Sequence, residues 1–333
     1  MKALALFSGG LDSLLSMKLI QEMGIEVVAL HFNIGFGANR DKLEYLQNAT
    51  AQIGVELRVL DIQEQFFNEV LFNPVHGYGK YFNPCIDCHA NMFRHALRLL
   101  EGEGASFIIS GEVIGQRPKS QRREALHQVE NLTQTKGLIL RPLSAKLLPP
   151  TLAEERGWVD REKLLDIHGR GRDRQLAMAK SYGWVYFEKP GGGCLLTDSH
   201  VALKLKDITQ RRKPVMEDIA LVKNGRYLIL PEGARLVISR NQEENRKLER
   251  PHPLMDFIHP KDWVGPIALL DKEASLPDRA LAGSLTLAYG KHEPNQEYEV
   301  MIGKERLTLR PFPSKSEAQR FILGIAQDLP KNP

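Results

Sequence analysis

The chain opens with an apolar run, Ala3-Leu4-Ala5-Leu6-Phe7, that halts at Ser8-Gly9-Gly10 and resumes as Leu11, Leu14, Leu15 and Leu19. The first run has the length of a buried strand, and the second has the three- and four-residue spacing of a helix. Glu26-Val27-Val28-Ala29-Leu30-His31-Phe32-Asn33 predicts a second buried strand, ended by Gly35, Gly37 and Asn39, with a helix over 40–53. A third strand is expected over 55–61, a helix over 62–72, then a loop with Gly77 and Gly79 and a helix over 89–100. Phe107-Ile108-Ile109-Ser110-Gly111-Glu112 is a fourth strand and turn, and Leu138–Leu143 a fifth, stopped by Pro142. This alternation predicts an α/β fold, a parallel sheet covered by helices on both faces.

From 151 the pattern changes. Short helices are expected over 151–157 and 161–167, then a basic loop, Gly169-Arg170-Gly171-Arg172-Asp173-Arg174, and a helix over 175–182. Beyond the Gly191-Gly192-Gly193-Cys194 run, a basic helix over 199–213 leads to Pro214. Further on come short alternating runs at 226–230, 235–239, 267–270 and 297–302, a charged helix over 241–250 and a closing helix over 314–327. The expected organisation is a first domain over 1–198, a basic linker helix over 199–214, and a smaller α+β domain over 215–333.

Bulk properties narrow the class. At 333 residues the chain suits about two domains, and 42 % apolar with 26 % charged residues is ordinary for a globular protein. Lys2 is followed by too short an apolar run for a signal peptide, and nothing approaches the roughly 18 apolar residues of a membrane span. The expectation is a cytoplasmic protein with no membrane partner. A net charge of +4 alone says little about nucleic acid. Three cysteines are too few for a disulfide scaffold.

The glycine turn carries the first chemistry. Ser8, Gly9, Gly10, Leu11, Asp12 and Ser13 stand between strand and helix, where convergent N–H groups and the helix start cradle an anion. A carboxylate at Asp12 beside phosphate calls for a cation, read as Mg2+. There is no Walker lysine, so the loop points to attack on the α-phosphate of ATP with pyrophosphate leaving. His31 and Asn33 end the second strand on the same edge of the sheet, where ligands of such sheets lie. Gly111 to Gln121, including Glu112 and Gln116, forms a second polar turn suited to phosphate and substrate. Arg141 and Lys146 flank the fifth strand, either to stabilise charge on a leaving phosphate or as solvated surface cations.

Cys85 and Cys88 stand in Pro84-Cys85-Ile86-Asp87-Cys88-His89, and Cys194 closes the glycine run. Both contexts read as exposed loops. Inert thiols, persulfide and disulfide chemistry, a [4Fe-4S] cluster on three thiolates with one iron open, and zinc with Asp87 or His89 all remain open. RNA contact is expected from Arg170, Arg172, Arg174, Lys204, Lys206, Arg211, Arg212 and Lys213, a stripe that would track phosphates. Ordinary helix-surface charge is the competing account, since no aromatics alternate with these cations.

Over 1–198 these motifs resemble the pyrophosphate-loop (PP-loop) ATP pyrophosphatases, adenine nucleotide alpha hydrolase-like proteins, in their tRNA 4-thiouridine synthase and 2-thiouridylase branch. The likeness rests on Ser8–Ser13, the Gly111-Glu112 to Ser120-Gln121 run and Arg141-Pro142-Leu143. In thiouridylases one cysteine follows Asn-Pro and a second lies in a later glycine-rich loop, similar in place to Asn83-Pro84-Cys85-Ile86-Asp87-Cys88 and Gly193-Cys194. The extra cysteine is similar to cluster-dependent members. Ile238 to Asn245 resembles the RNA-binding module of ribosome-quality-control proteins. The resemblance implies an ATP-dependent tRNA sulfurtransferase with a sulfide or persulfide donor, and with Asp12, Cys88 and Cys194 as catalytic residues. An adenylating C–N ligase sharing only the loop, and an RNA-binding protein with a vestigial nucleotide site, are the alternatives.

Overall fold

Five parallel strands build the sheet that positions the glycine turn: β1 (Lys2–Leu6), β2 (Glu26–Asn33), β3 (Glu56–Asp61), β4 (Phe107–Ser110) and β5 (Ile139–Leu140), in the order β3-β2-β1-β4-β5. The structure, a computed structural model, describes residues 1–37, 42–188, 194–260 and 264–324. It divides into Met1–Cys194 and Leu195–Pro333. Asn39, the Gly191–Gly193 run and the end of the expected closing helix lie outside the described residues.

Alternation along the strands feeds two cores. Ala3, Ala5, Val27, Ala29, Phe107 and Ile109 pack under the helices Leu11–Gln21 and Leu43–Ala51 through Leu14, Met17 and Leu46. Leu4, Val28, Leu30 and Ile108 face Phe93 and Ala96 of the helix Cys85–Leu99 and Val129 of the helix Arg123–Thr133. β1 is therefore buried on both faces, and its C-terminal end delivers Phe7 and Ser8 to the sheet edge.

Three local expectations are corrected. The cysteine helix begins at Cys85, not 89, with Pro84 at its N-cap and Cys88 N–H donating to Pro84 O at 2.8 Å. Cys85 and Cys88 thus lie in a first helical turn and not in a loop; proline suits that entry because its missing N–H is not needed there. The helix expected over 62–72 is present and is corrected only in its winding, Gln63–Gln65 running on into a wider-wound helical stretch, Phe66–Leu71. Of 161–167 only Arg161–Lys163 turns.

The second unit holds an antiparallel sheet of β6 (Arg226–Ile229), β7 (Arg235–Ile238), β8 (Met255–Pro260), β9 (Ala268–Asp271), β10 (Tyr298–Ile302) and β11 (Glu305–Leu309), in the order β11-β10-β8-β9-β7-β6. The helix Leu276–Tyr289 covers it, burying Ala282, Leu285 and Leu287 with Leu236, Leu270, Val300 and Ile302. The expected linker is corrected as well. Ser199–Arg211 belongs to this unit and buries Val201, Leu205 and Ile208, its start capped by Asp198 accepting from His200 and Val201 N–H. Among the described residues no helix is long and apolar enough to cross a membrane.

Candidate nucleotide and sulfur site

The loop after β1 is held from within and from outside. Ser13 Oγ donates to Gly10 O at 2.8 Å, and Gly10 N–H to Ser8 Oγ at 3.3 Å. Gly9 takes φ +87°, where a side chain is strained. Its carbonyl accepts from Tyr45 Oη at 2.7 Å and from Glu188 N at 3.2 Å, while Glu188 pairs with Lys42 at 2.7 Å. Leu11 is only 1 % exposed and packs with Leu15 and Val113. Its side chain is core, so only its backbone belongs to the cradle. His31 turns Nδ1 to Phe7 O at 2.9 Å; burial pulls its pKa down, leaving a neutral ring with Nε2 as an acceptor. Asn33 Oδ1 accepts from Gly35 N at 3.1 Å.

Asp12 is already engaged. Its Oδ2 accepts from Gln116 Nε2 at 2.5 Å and lies 3.0 Å from Arg172 Nη2, and Oδ1 accepts from Gln175 Nε2 at 3.4 Å. Gln116 thus meets Asp12 as the sequence places it, but Gln175, Tyr45, Lys42 and Glu188 escaped the sequence reading. Gln175 is 1 % exposed, a polar side chain buried in the first turn of the helix Asp173–Ser181. Such burial is invisible in a sequence.

The loop after β4 links this cradle to the cysteines. A Cβ on Gly111 would lie 2.6 Å from Ser13 Cα and N, so only glycine allows that approach. The next residue, Glu112, meets His89 Nδ1 through Oε1 at 2.8 Å and accepts from Arg141 Nε through Oε2 at 3.0 Å. Arg141 also reaches Glu130 at 2.5 Å. Burial pushes the Glu112 carboxyl up, but Arg141 and His89 outweigh it and hold it at about 2. Arg141 is therefore corrected from a phosphate ligand to the buried centre of this network, and Lys146 pairs with Glu162 at the surface.

The thiols converge. Cys85 Sγ accepts from Asn83 Nδ2 at 3.0 Å, and the Cys194 backbone bridges Gly37 just after β2. Burial pushes the Cys88 thiol well up, and negative charge at Cys194 and Cys85, then Asp87, adds to it. None of the three is disulfide-bonded. Asp87 accepts from Val75 and His76 N–H, and His89 meets Glu112 through Nδ1. Among the described residues no set of three or more His, Cys, Asp or Glu side chains is placed to hold a single metal ion.

The fold sorts the basic stripe into inward and outward cations. Lys204 is buried, its Nζ donating to the carbonyls of Leu221, Asn224 and Gly225 at 3.1–3.3 Å. Arg212 forks onto Asp218, while Arg211 and Arg172 each place one nitrogen on a carboxylate, Asp271 and Asp12. Lys204, Arg212 and Arg172 are thus corrected from RNA-facing cations to structural or site residues, because each finds a buried acceptor. Arg174 is exposed with Asp166 as its partner, and Arg170, Lys206 and Lys213 are exposed.

A glycine turn leaving the central strand of a parallel, helix-covered sheet defines a nucleotide-binding α/β unit. Residues 1–146 match the model of the thiamine biosynthesis protein (ThiI) family, and residues 225–320 that of the NFACT protein RNA binding domain. Both agree with the resemblances drawn from the sequence. The tRNA-specific 2-thiouridylase MnmA of Sulfurimonas denitrificans is 34 % identical over 121 residues, 34 % of this chain and 35 % of that protein. Argininosuccinate synthase of Bacillus cytotoxicus is 29 % identical over 117 residues, 33 % and 28 % of the two chains. A 4-thiouridine synthetase–RNA complex with bound ATP superposes with a TM-score of 0.43 and 20 % identity, covering 67 % of this chain and 52 % of that one. The chain spans about a third of the length of these curated relatives.

Proposed function

We propose that this protein is an ATP-dependent tRNA sulfurtransferase that adenylates a uridine carbonyl, releases pyrophosphate and replaces the oxygen by sulfur. The observation that carries it is the Gly111-Glu112 junction, which packs on Ser13 on one side and grips His89, the neighbour of Cys88, on the other. Phosphate-binding loop and thiols are then two ends of one site. The similarity to a ThiI family and to a 2-thiouridylase supports the same reading.

In this reading the loop N–H groups of Gly9 to Ser13 and the two hydroxyls hold the leaving pyrophosphate. The base oxygen attacks the α-phosphorus, the bond to the bridging oxygen breaks, and pyrophosphate departs. A sulfide then adds at the activated carbon and AMP leaves with the former base oxygen, so the exchange is redox-neutral. Asp12 does not fit a divalent ion in its present arrangement, since Arg172, Gln116 and Gln175 occupy it, and no step is assigned to Mg2+.

In this reading Cys85, Cys88 and Cys194 would hold a [4Fe-4S] cluster, whose ligand sulfurs stand wider than those of a single ion. The half-buried Cys88 thiol, beside two others, is costly to ionise alone, and iron would offset that charge. Held by three thiolates, the cluster would supply an open iron for sulfide. Burial and the neighbouring Cys194 and Cys85 push the Cys88 thiol up, which disfavours a free thiolate there. RNA would be held by the second unit and by exposed cations such as Arg170 and Lys206. The similarity to argininosuccinate synthase keeps an adenylating C–N ligase as the second reading.

The experiment separates the two. Anaerobic protein with ATP, tRNA and sulfide should yield a thiolated nucleoside by mass spectrometry, lost in Cys85→Ala, Cys88→Ala and Cys194→Ala while ATP–pyrophosphate exchange persists. Turnover unaffected by all three substitutions would favour the ligase.

A further inference from the structure

We propose that Arg172 is a phosphate-binding residue of the nucleotide site: placed against Asp12, it contacts the triphosphate of ATP held by the Ser8–Ser13 loop. The inference rests on the nucleotide reading above and adds to it a residue beyond the 1–146 segment that the ThiI model matches.

The loop Gly169-Arg170-Gly171-Arg172-Asp173-Arg174 looks uniform in sequence, but the fold sorts its arginines. Arg170 is exposed, and Arg174 pairs at the surface with Asp166 at 2.7 Å. Arg172 alone of the three turns inward, its side chain 11 % exposed and its Nη2 3.0 Å from Asp12 Oδ2.

That inward position is built rather than incidental. Gly169 N–H donates to Ile114 O at 2.7 Å, tying the loop to the turn after β4. Arg172 O accepts from Leu176 N at 2.9 Å, opening the helix Asp173–Ser181. Ala179 of that helix is buried with Leu11, Leu15 and Leu19, the helix that leaves the glycine turn. Gln175, one turn on, donates to the other oxygen of Asp12.

Charge then decides what the guanidinium does. ATP entering the cradle puts several negative charges beside the Asp12 carboxylate, a repulsive arrangement unless a cation stands between. Arg172 is already 3.0 Å from that carboxylate. A guanidinium carries five donors in a planar fork, so it can keep one on Asp12 and turn others to phosphate oxygens. An arginine on RNA would have to abandon Asp12 and turn outward to do so.

The test is equilibrium binding of ATP to the full chain in EDTA, so that no metal ion contributes, beside tRNA binding across a salt series. Arg172→Ala should weaken ATP about tenfold or more, as expected for loss of a charge-assisted pair, and leave tRNA affinity within about twofold. Arg172→Gln keeps the length and a hydrogen bond to Asp12 and should show the same ATP loss if the alanine variant melts early. Arg170→Ala should leave ATP binding unchanged. Wild-type affinity or tighter ATP binding in the Arg172 variants overturns the inference, as does loss of tRNA affinity with ATP binding kept. Wild-type protein that binds no ATP either in EDTA or with Mg2+ added overturns the proposed function itself, a result distinct from both.

Discussion

Glu112 and His89 meet at 2.8 Å, and through that contact the loop after β4 is fastened to the helix that carries Cys85 and Cys88. The carboxylate is held at about 2 because Arg141 and His89 outweigh its burial. A folded-state pKa below the unfolded value means that the unfolded chain binds more protons between the two. The stability from this group is therefore complete above about 4.5 and lost as pH falls towards about 2. Thermal melts from pH 5 downward should decline in the wild type, and Glu112→Gln should be destabilised at pH 7 but show a flatter acid limb. An equally steep limb in the variant would contradict this.

Gly111 carries a steric prediction. An added methyl would meet backbone, not a yielding side chain, at 2.6 Å from Ser13. Gly111→Ala should cost about 1–3 kcal/mol in stability and displace the cradle, reducing ATP affinity. Gly102→Ala, whose added carbon would meet its nearest neighbour at 3.9 Å, should be neutral in both measurements.

Iron content tests the thiols. Protein purified without oxygen should be brown and hold about four irons per chain, and each of Cys85→Ala, Cys88→Ala and Cys194→Ala should lose most of them. A colourless wild type with a Cys88–Cys194 disulfide would instead favour the persulfide route.

Lys204 should behave as a structural residue. Its removal strands three carbonyls, so Lys204→Ala should cost about 1–3 kcal/mol by calorimetry. Lys206→Ala, on the exposed side of the same helix, should lie within about 0.5 kcal/mol of wild type and act, if anywhere, on RNA affinity.

The parallel sheet was legible because β1, β2 and β4 are short apolar runs that end in glycine or polar turns. The helix Arg123–Thr133 was not, since only Ala125, Leu126 and Val129 mark its buried face among charged neighbours. The start of the cysteine helix was hidden for a similar reason, as Cys85-Ile86-Asp87 has no apolar period. Helix Leu276–Tyr289 and strand β8 went unread in a segment broken by proline and glycine. The site was legible where glycines and cysteines mark it. It was not where an ion pair decides: nothing local distinguishes Arg172, which finds Asp12, from Arg170, which stays in solvent. Lys204 and Arg212 looked like a basic stripe until the fold supplied their carbonyl and Asp218 partners.

The central claim is that the adenylate formed at Ser8–Ser13 exists to accept sulfur. A single-turnover reaction with tRNA, ATP and radiolabelled sulfide measures it most directly, by counting AMP released against sulfur fixed in tRNA. One AMP for each thionucleoside in the wild type, with sulfur fixation lost in Cys88→Ala while ATP–pyrophosphate exchange persists, is the result expected here. AMP and pyrophosphate formed with no sulfur in the tRNA would contradict the account.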